Sequence, residues 1–192
     1  MKVFMSPREA GRWAPGAVIA IGKFDGVHRG HRRVIQAAAR RARELATRSL
    51  VMTFDPLPQS YFYPGKFVPL MALEDRLEAI AELGIDGAVV LPFGRSLACQ
   101  SPEAFARKIL ADALKAMEVV VGADFCYGKS RAGNLDSLAD AGRELGFMVR
   151  AIALLRDENG KINSSRIRDL LRNGREKEAE KQLGRPIGAG KR

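Results

Sequence analysis

The chain has 192 residues, 46% hydrophobic and 28% charged, which suits one compact core and excludes collagen-like or wholly disordered classes. Two cysteines, Cys99 and Cys126, are too few for a disulfide framework or a Cys-rich zinc module. Thirty-two basic residues against 22 acidic ones give a net charge of +10, which points to a polyanionic partner, either nucleic acid or nucleotide phosphates.

The charge is localised. Residues 29–48 hold seven arginines and one acid, and residues 150–192 hold twelve basic and six acidic residues. No apolar run approaches the length of a bilayer span, because Arg150 interrupts the best candidate at 147–155. The N-terminus, MKVFMSPREA, places Arg and Glu where a secretory peptide is apolar. A soluble, cytoplasmic chain with free thiols and no membrane partner is expected.

Taken in order, the predicted elements alternate between strand and helix. Residues 17–21 form a short apolar run suited to a strand buried on both faces. The glycine-punctuated GKFDGVHRGH follows, and then an Ala- and Arg-rich helix over 31–46. A second strand is predicted at 49–54, ended by the proline-rich DPLPQSYFYPG. A helix over 73–83 is stopped by Gly84. A third strand spans 87–91, and Ser101 caps a helix that has Pro102 at its first position and runs to about Lys115. The fourth strand is 118–121, followed by a loop at 122–133, a helix at 135–145 and a fifth strand at 147–155. A turn at 157–161 leads into two closing helices, 164–172 and 176–183. Alternation of this kind implies right-handed crossovers and a parallel five-stranded α/β sheet flanked by helices. Ligands on such sheets bind beyond the carboxyl ends of the strands, so the loops after Ile21, Phe54, Leu91, Val121 and Leu155 are the candidate site.

Both histidines of the chain, His28 and His31, fall in the first of these loops, three residues apart where a helix begins. Gly26 and Gly30 let a ligand approach the backbone, and the helix start offers free N–H groups to a phosphate. Two imidazoles added there suit nucleotidyl transfer, in which charge gathers on non-bridging phosphoryl oxygens. A lone histidine at a helix start is ordinarily a packing residue; a pair among glycines in the first strand-to-helix turn is a site candidate. No Cys-x-x-Cys accompanies the histidines, so no metal centre is expected. The loop at 122–133 has five residues between Gly122 and Gly128-Lys129-Ser130, one too many for a P-loop. The arginines of the first long helix read as a solvated face. No aromatics interleave with them, which argues against a nucleic-acid partner.

Residues 24–31, Phe-Asp-Gly-Val-His-Arg-Gly-His, resemble the H-x-G-H signature of the nucleotidylyltransferase superfamily. Their wording is similar to the adenylyltransferase module of bacterial FAD synthetases, usually the N-terminal half of a bifunctional riboflavin kinase/FMN adenylyltransferase. The resemblance covers about residues 17–186. It implies a Rossmann-like fold that moves AMP from ATP to FMN, with Mg²⁺ arriving on ATP and small-molecule nucleotides as partners. It places His28 and His31, with Asp25, at the reacting phosphate. Gly22, Lys23, Phe24 and Gly30 would hold the ATP phosphates together with Ser164, Ser165, Arg166 and Arg168. These last four belong to Ile162-Asn163-Ser164-Ser165-Arg166-Ile167-Arg168, which resembles the family's Ile-Ser-Ser-Thr-Arg-Ile-Arg. Phe62, Asp124, Tyr127 and Arg131 would flank the flavin; Phe62 alone reads equally as loop packing. Leu57 replaces a family histidine, and Asn163 and Ser165 replace Ser and Thr; Asp124 fills the family's Asn-or-Asp position, where an ionised Asp can only accept hydrogen bonds and repels phosphates. A module over 1–186 with a tail at 187–192, and no riboflavin kinase, is the expected organisation. Two other classes stay open: a divergent nucleotidylyltransferase acting on another phosphorylated acceptor, and a non-catalytic nucleotide or RNA binder.

Overall fold

The computed structural model describes residues 1–187; residues 188–192 of the expected tail lie outside the described residues. The central sheet has six parallel strands: β1 (Lys2–Phe4), β2 (Val18–Ile21), β3 (Ser49–Asp55), β4 (Gly87–Pro92), β5 (Glu118–Gly122) and β6 (Met148–Ile152). Their spatial order is β1-β4-β3-β2-β5-β6. The five predicted strands are present, the last shorter than predicted, and β1 is an addition. Three residues carry too little alternation to register as a strand by pattern. Pairing with β4, from Lys2 opposite Gly87 to Phe4 opposite Val89, makes it one.

β2 sits at the centre, with Val18 opposite both Ser49 of β3 and Glu118 of β5. The chain steps outward from β2 through β3 and β4, then restarts on the other side at β5. The loops leaving β2 and β5 therefore diverge and open a crevice at the carboxyl edge. Alternation within β2 feeds both faces. Ile19 and Ile21 enter one core, and Val18 and Ala20 enter the other.

The first face is covered by α1 (Pro7–Trp13), α6 (Pro102–Phe105) and α7 (Leu135–Leu145), and the second by α2 (Arg29–Glu44) and α4 (Leu73–Ala81). Two short helices, α3 (Pro58–Phe62) and α5 (Arg95–Ala98), follow β3 and β4. Ser101 caps α6 as expected, its Oγ accepting from the Ala104 N–H at 3.2 Å. The segment predicted as a single helix to Lys115 instead changes after Phe105 to a π-helical stretch, Ala106–Ala113. Gly11 of α1 lies so close to it that a Cβ there would be 2.0 Å from the Ala113 carbonyl oxygen.

The predicted turn at 157–161 is a small antiparallel hairpin, β7 (Arg156–Asp157) and β8 (Gly160–Lys161). It leads into α8 (Ser164–Arg172) and α9 (Glu176–Leu183), which share a small core of Ile167, Leu170, Ala179 and Leu183. The arginines of α2 are not all solvated. Glu118, 1% exposed, accepts from Arg41 Nε at 2.8 Å and from Arg150 Nε at 2.6 Å, which ties α2 to β5 and β6. Among the described residues no helix is long and apolar enough to cross a membrane.

Candidate active site

The loop leaving β2 is bent hard. Phe24 (φ 50°) and Val27 (φ 41°) both adopt left-handed backbone, and Val27 is β-branched, for which that region is costly. Surrounding bonds hold the loop there. The Val27 N–H donates to the Phe24 carbonyl at 3.0 Å. The Lys23 carbonyl accepts from Thr53 Oγ1 and from Arg76 Nη1, both at 3.1 Å. Arg76 also donates to the Phe54 carbonyl at 2.9 Å, and so clamps the ends of β2 and β3 together. Burial keeps its pKa below the ordinary arginine value. Thr53 and Arg76 were not among the sequence candidates. The signal for Arg76 was a cation on the same helical stripe as buried Ala79 and Ile80.

His28 is the N-cap of α2 rather than part of its first turn, and its Nδ1 accepts the His31 N–H at 3.2 Å. The neutral ring therefore carries its proton on Nε2. The two imidazoles stack with centroids 3.5 Å apart, and the edge of Phe24 meets His31 at 5.4 Å. Gly30 makes room for this stack: a Cβ there would be 3.1 Å from His28 Cε1. Burial lowers the His28 pKa to about 4. Burial, then the neighbouring His28, pushes His31 well below its ordinary value. Both rings are neutral near pH 7, and His31 Nδ1 is buried without a hydrogen-bond partner among the described residues.

The loops enclose a cavity of about 940 Å³, and the resemblance-derived residues converge on it with one exception. Gly22, Lys23, Phe24, Asp25, His28, Gly30 and His31 line it from the β2 side, and Ser164, Ser165 and Arg168 from α8. Asp124, Tyr127 and Arg131 reach it from the β5 loop, and Phe62 from α3. Arg166 does not line it. Its guanidinium binds Asp157 at 2.7 Å and faces the Gln182 carboxamide, so its place is in the packing of α8 on the hairpin and α9.

Several lining residues are already engaged. Asp25, 3% exposed, accepts from the Leu70 N–H at 2.8 Å and from Arg168 Nη2. Burial raises its pKa, opposed by Arg168. Ser164 Oγ donates to the Asp25 carbonyl at 2.9 Å, and Asn163 caps α8 through the Arg166 N–H at 2.9 Å. Lys23 is held below its ordinary pKa by enclosure first, then by the guanidiniums of Arg131 and Arg168. Asp124 pairs with Lys161, a residue absent from the sequence candidates. Tyr127 is 7% exposed and packs between Phe105 and Phe125, which leaves only part of its ring for a ligand. Phe62 is open, 56% exposed, with its edge on Phe93 at 5.7 Å. Leu57 is buried and off the cavity wall.

Among the described residues no cluster of three or more His, Cys, Asp or Glu side chains is placed to hold a metal ion. The two carboxylates in the cavity, Asp25 and Asp124, each sit on a cation. The arrangement is chemically suited to a phosphate: two helix starts, neutral imidazoles, and Lys and Arg side chains line one crevice.

Comparison with known proteins places the chain in a family. The model of the FAD synthetase family matches residues 12–166. A protein of Geobacillus thermodenitrificans, named for riboflavin kinase and FMN adenylyltransferase, is 36% identical over 176 residues, covering 91% of this chain and 93% of that protein. The bifunctional riboflavin kinase/FMN adenylyltransferase of Pseudomonas fluorescens is 35% identical over 90% of this chain, which spans only 55% of that protein. Among solved structures, one described as a macrolide-efflux protein from Streptococcus pneumoniae superposes with a TM-score of 0.85 at 27% identity, over 97% of this chain and 62% of that one. Pantothenate synthetase from Thermus thermophilus shares the fold at a TM-score of 0.58 and 16% identity, over 96% of this chain and 81% of that one. With a signature loop, a parallel sheet and a family match that all fall on the same stretch of chain, the protein belongs to the FAD synthetase family.

Proposed function

We propose that this chain is an FMN adenylyltransferase: it transfers AMP from ATP to the phosphate of FMN, giving FAD and pyrophosphate. The observation that carries the reading is the stacked, neutral pair His28 and His31 at the start of α2, inside a cavity that also receives the start of α8. In this reaction an FMN phosphate oxygen attacks the α-phosphorus of ATP. The bond from that phosphorus to the bridging oxygen of the β-phosphate breaks, and pyrophosphate leaves with the electron pair. A phosphate monoester is ionised near neutral pH, so no general base is required. Catalysis then rests on positioning and on donors aimed at the developing charge. His28 Nε2–H and the His31 ring serve the α-phosphate. Lys23 and the α8 start, with Ser164, Ser165 and Arg168, take the β- and γ-phosphates. Asp25 orders the loop through Leu70 and Arg168.

Flavin stacking falls to Phe62 and the free part of Tyr127, with Arg131 beside them. Arg166 supports α8 rather than touching ATP. Mg²⁺ would come bound to the triphosphate, since the cavity's carboxylates are already on cations. Residues 1–186 act as one catalytic module in this reading, in a cytoplasmic setting where Cys99 and Cys126 are free.

Incubating the protein with ATP, Mg²⁺ and FMN and separating the products by chromatography tests the reading. FAD and pyrophosphate in equal amounts are expected. Product only with a different phosphorylated acceptor, or with CTP, redirects the substrate assignment. No transfer to any acceptor overturns it.

A further inference from the structure

The strained loop that carries the histidines is held by its carbonyls. Lys23 accepts from Thr53 Oγ1 and Arg76 Nη1, Phe24 from the Val27 N–H, and Asp25 from Ser164 Oγ. The next in the row, Gly26, accepts from Arg185 Nη2 at 3.5 Å, across 159 positions of chain. Donors from β3, α4, α8 and the segment after α9 thus meet on one short loop.

Arg185 reaches Gly26 from behind the cavity, and neither residue lines its wall. Gly184, in left-handed backbone at φ 72°, ends α9 and turns the chain toward the loop. The approach is close. A Cβ on Gly26 would lie 2.8 Å from Leu70 Cδ1 and 3.4 Å from Leu183 Cδ2, and one on Gly184 would lie 3.0 Å from Arg29 Cγ. The guanidinium is incompletely bonded there. Its Nε is buried without a hydrogen-bond partner among the described residues, and its other contact is Met71 Sδ at 3.8 Å. Burial, and then Arg32, hold its pKa below the ordinary arginine value. The neighbouring acid Glu82 pairs with Arg32. Packing alone would favour an apolar side chain at such a place, so the cation calls for a role other than stability.

We propose that Arg185 is a positioning residue for His28, which it serves through the Gly26 carbonyl. Gly26 and Val27 immediately precede His28 and have φ 85° and 41°. A donor on the Gly26 carbonyl fixes the plane of the peptide that leads into Val27, and with it the direction in which the His28 ring leaves the loop. Arg76 braces the Lys23 end of the same loop; Arg185 braces the end that aims the imidazole. Arg185 therefore bears on the transition state more than on substrate affinity. The inference rests on the reading of the cavity as an adenylyl-transfer site. It deepens that reading by adding a residue from outside the stretch that matches the family model, 12–166.

Two variants test it: Arg185→Met keeps an unbranched stem and removes the donors, and Arg185→Lys keeps a charge and a donor. In FAD synthesis Arg185→Met should lose about tenfold in kcat, with the KM for ATP and for FMN within about twofold of wild type. Its melting temperature should stay within about 2 °C of wild type, because relief of the unpartnered Nε and of the like charge on Arg32 offsets the lost bond. Arg185→Lys should recover kcat to within about threefold of wild type. Independently of turnover, Arg185→Met should speed amide hydrogen exchange about tenfold at Val27 and His31, whose N–H groups bond the Phe24 carbonyl and His28 Nδ1, and leave β2 unchanged. Unchanged kcat or unchanged exchange in Arg185→Met overturns the proposal, as does a loss of rate that Arg185→Lys does not recover. If wild type makes FAD and the proposal fails on these counts, the enzymatic reading stands. If wild type makes no FAD, that reading falls and hydrogen exchange alone decides the role of Arg185.

Discussion

His28 and His31 are joined twice, by the bond from the His31 N–H to His28 Nδ1 and by the stacking of their rings. The first contact caps α2 and fixes the His28 tautomer; the second holds both rings against the same cavity wall. One residue thus terminates a helix and presents a donor, and the two roles are separable. His28→Asn keeps a capping oxygen but removes the Nε2 donor, whereas His28→Ala removes both. Both variants should lose about 10²–10³-fold in FAD formation, as expected for one missing transition-state donor. Only His28→Ala should also lose about 1 kcal/mol of stability from the vacated cap. Product assays paired with thermal melts distinguish the two.

The buried state of His28 has a pH signature. Its pKa falls from 6.5 to about 4 on folding, so between those values the unfolded chain binds more protons than the folded one. The sign follows: the contribution is fully present above about pH 6.5 and is lost as the pH falls toward 4. Roughly 3 kcal/mol is at stake for a shift of this size. The melting temperature of the wild type should therefore drop between pH 6.5 and 4 more steeply than that of His28→Asn. Parallel curves would show that the ring titrates normally.

Arg76 is 2% exposed and bonds two main-chain carbonyls that belong to different strand ends. Arg76→Leu leaves the Lys23 carbonyl on Thr53 Oγ1 alone and takes the guanidinium donor from the Phe54 carbonyl, at about 1–3 kcal/mol for the lost bonding. Arg76→Lys keeps the charge but lacks the planar fork that spans both carbonyls. Both variants should melt earlier than wild type, and both should raise the KM for ATP, because the Lys23 loop loses its brace. Urea denaturation and steady-state kinetics provide the check.

Gly11 tests packing remote from the chemistry. A methyl group there meets the Ala113 carbonyl oxygen, which is backbone and cannot swing away. Gly11→Ala should destabilise the fold by about 1–3 kcal/mol through overpacking. The fraction that remains folded should turn over at the wild-type rate, which active-site titration would reveal.

Much of the fold was legible because its signals are local. The β2 run is apolar at every position, as a strand covered on both faces must be, and α7 carries its Asn134 cap and its left-handed Gly146 stop in the sequence itself. What escaped was short or relational. β1 is a strand only because β4 lies beside it, and the hairpin of β7 and β8 has two residues per strand. Arg41 looked like one of several helical arginines until the fold brought Glu118 and Arg150 to it.

The same division runs through the site. By itself the sequence determined that a glycine-bearing loop with two histidines joins the first long strand to the first long helix, since alternation, periodicity and backbone freedom are properties of neighbouring residues. Only the tertiary structure decided which charges are free. Asp25 meets Arg168 across 143 positions and Asp124 meets Lys161 across 37. Arg166, alike on paper to Arg168, is instead drawn away by Asp157. Coulomb attraction and burial depend on distance through space, and chain spacing carries no record of it until the sheet has brought its loops to one edge.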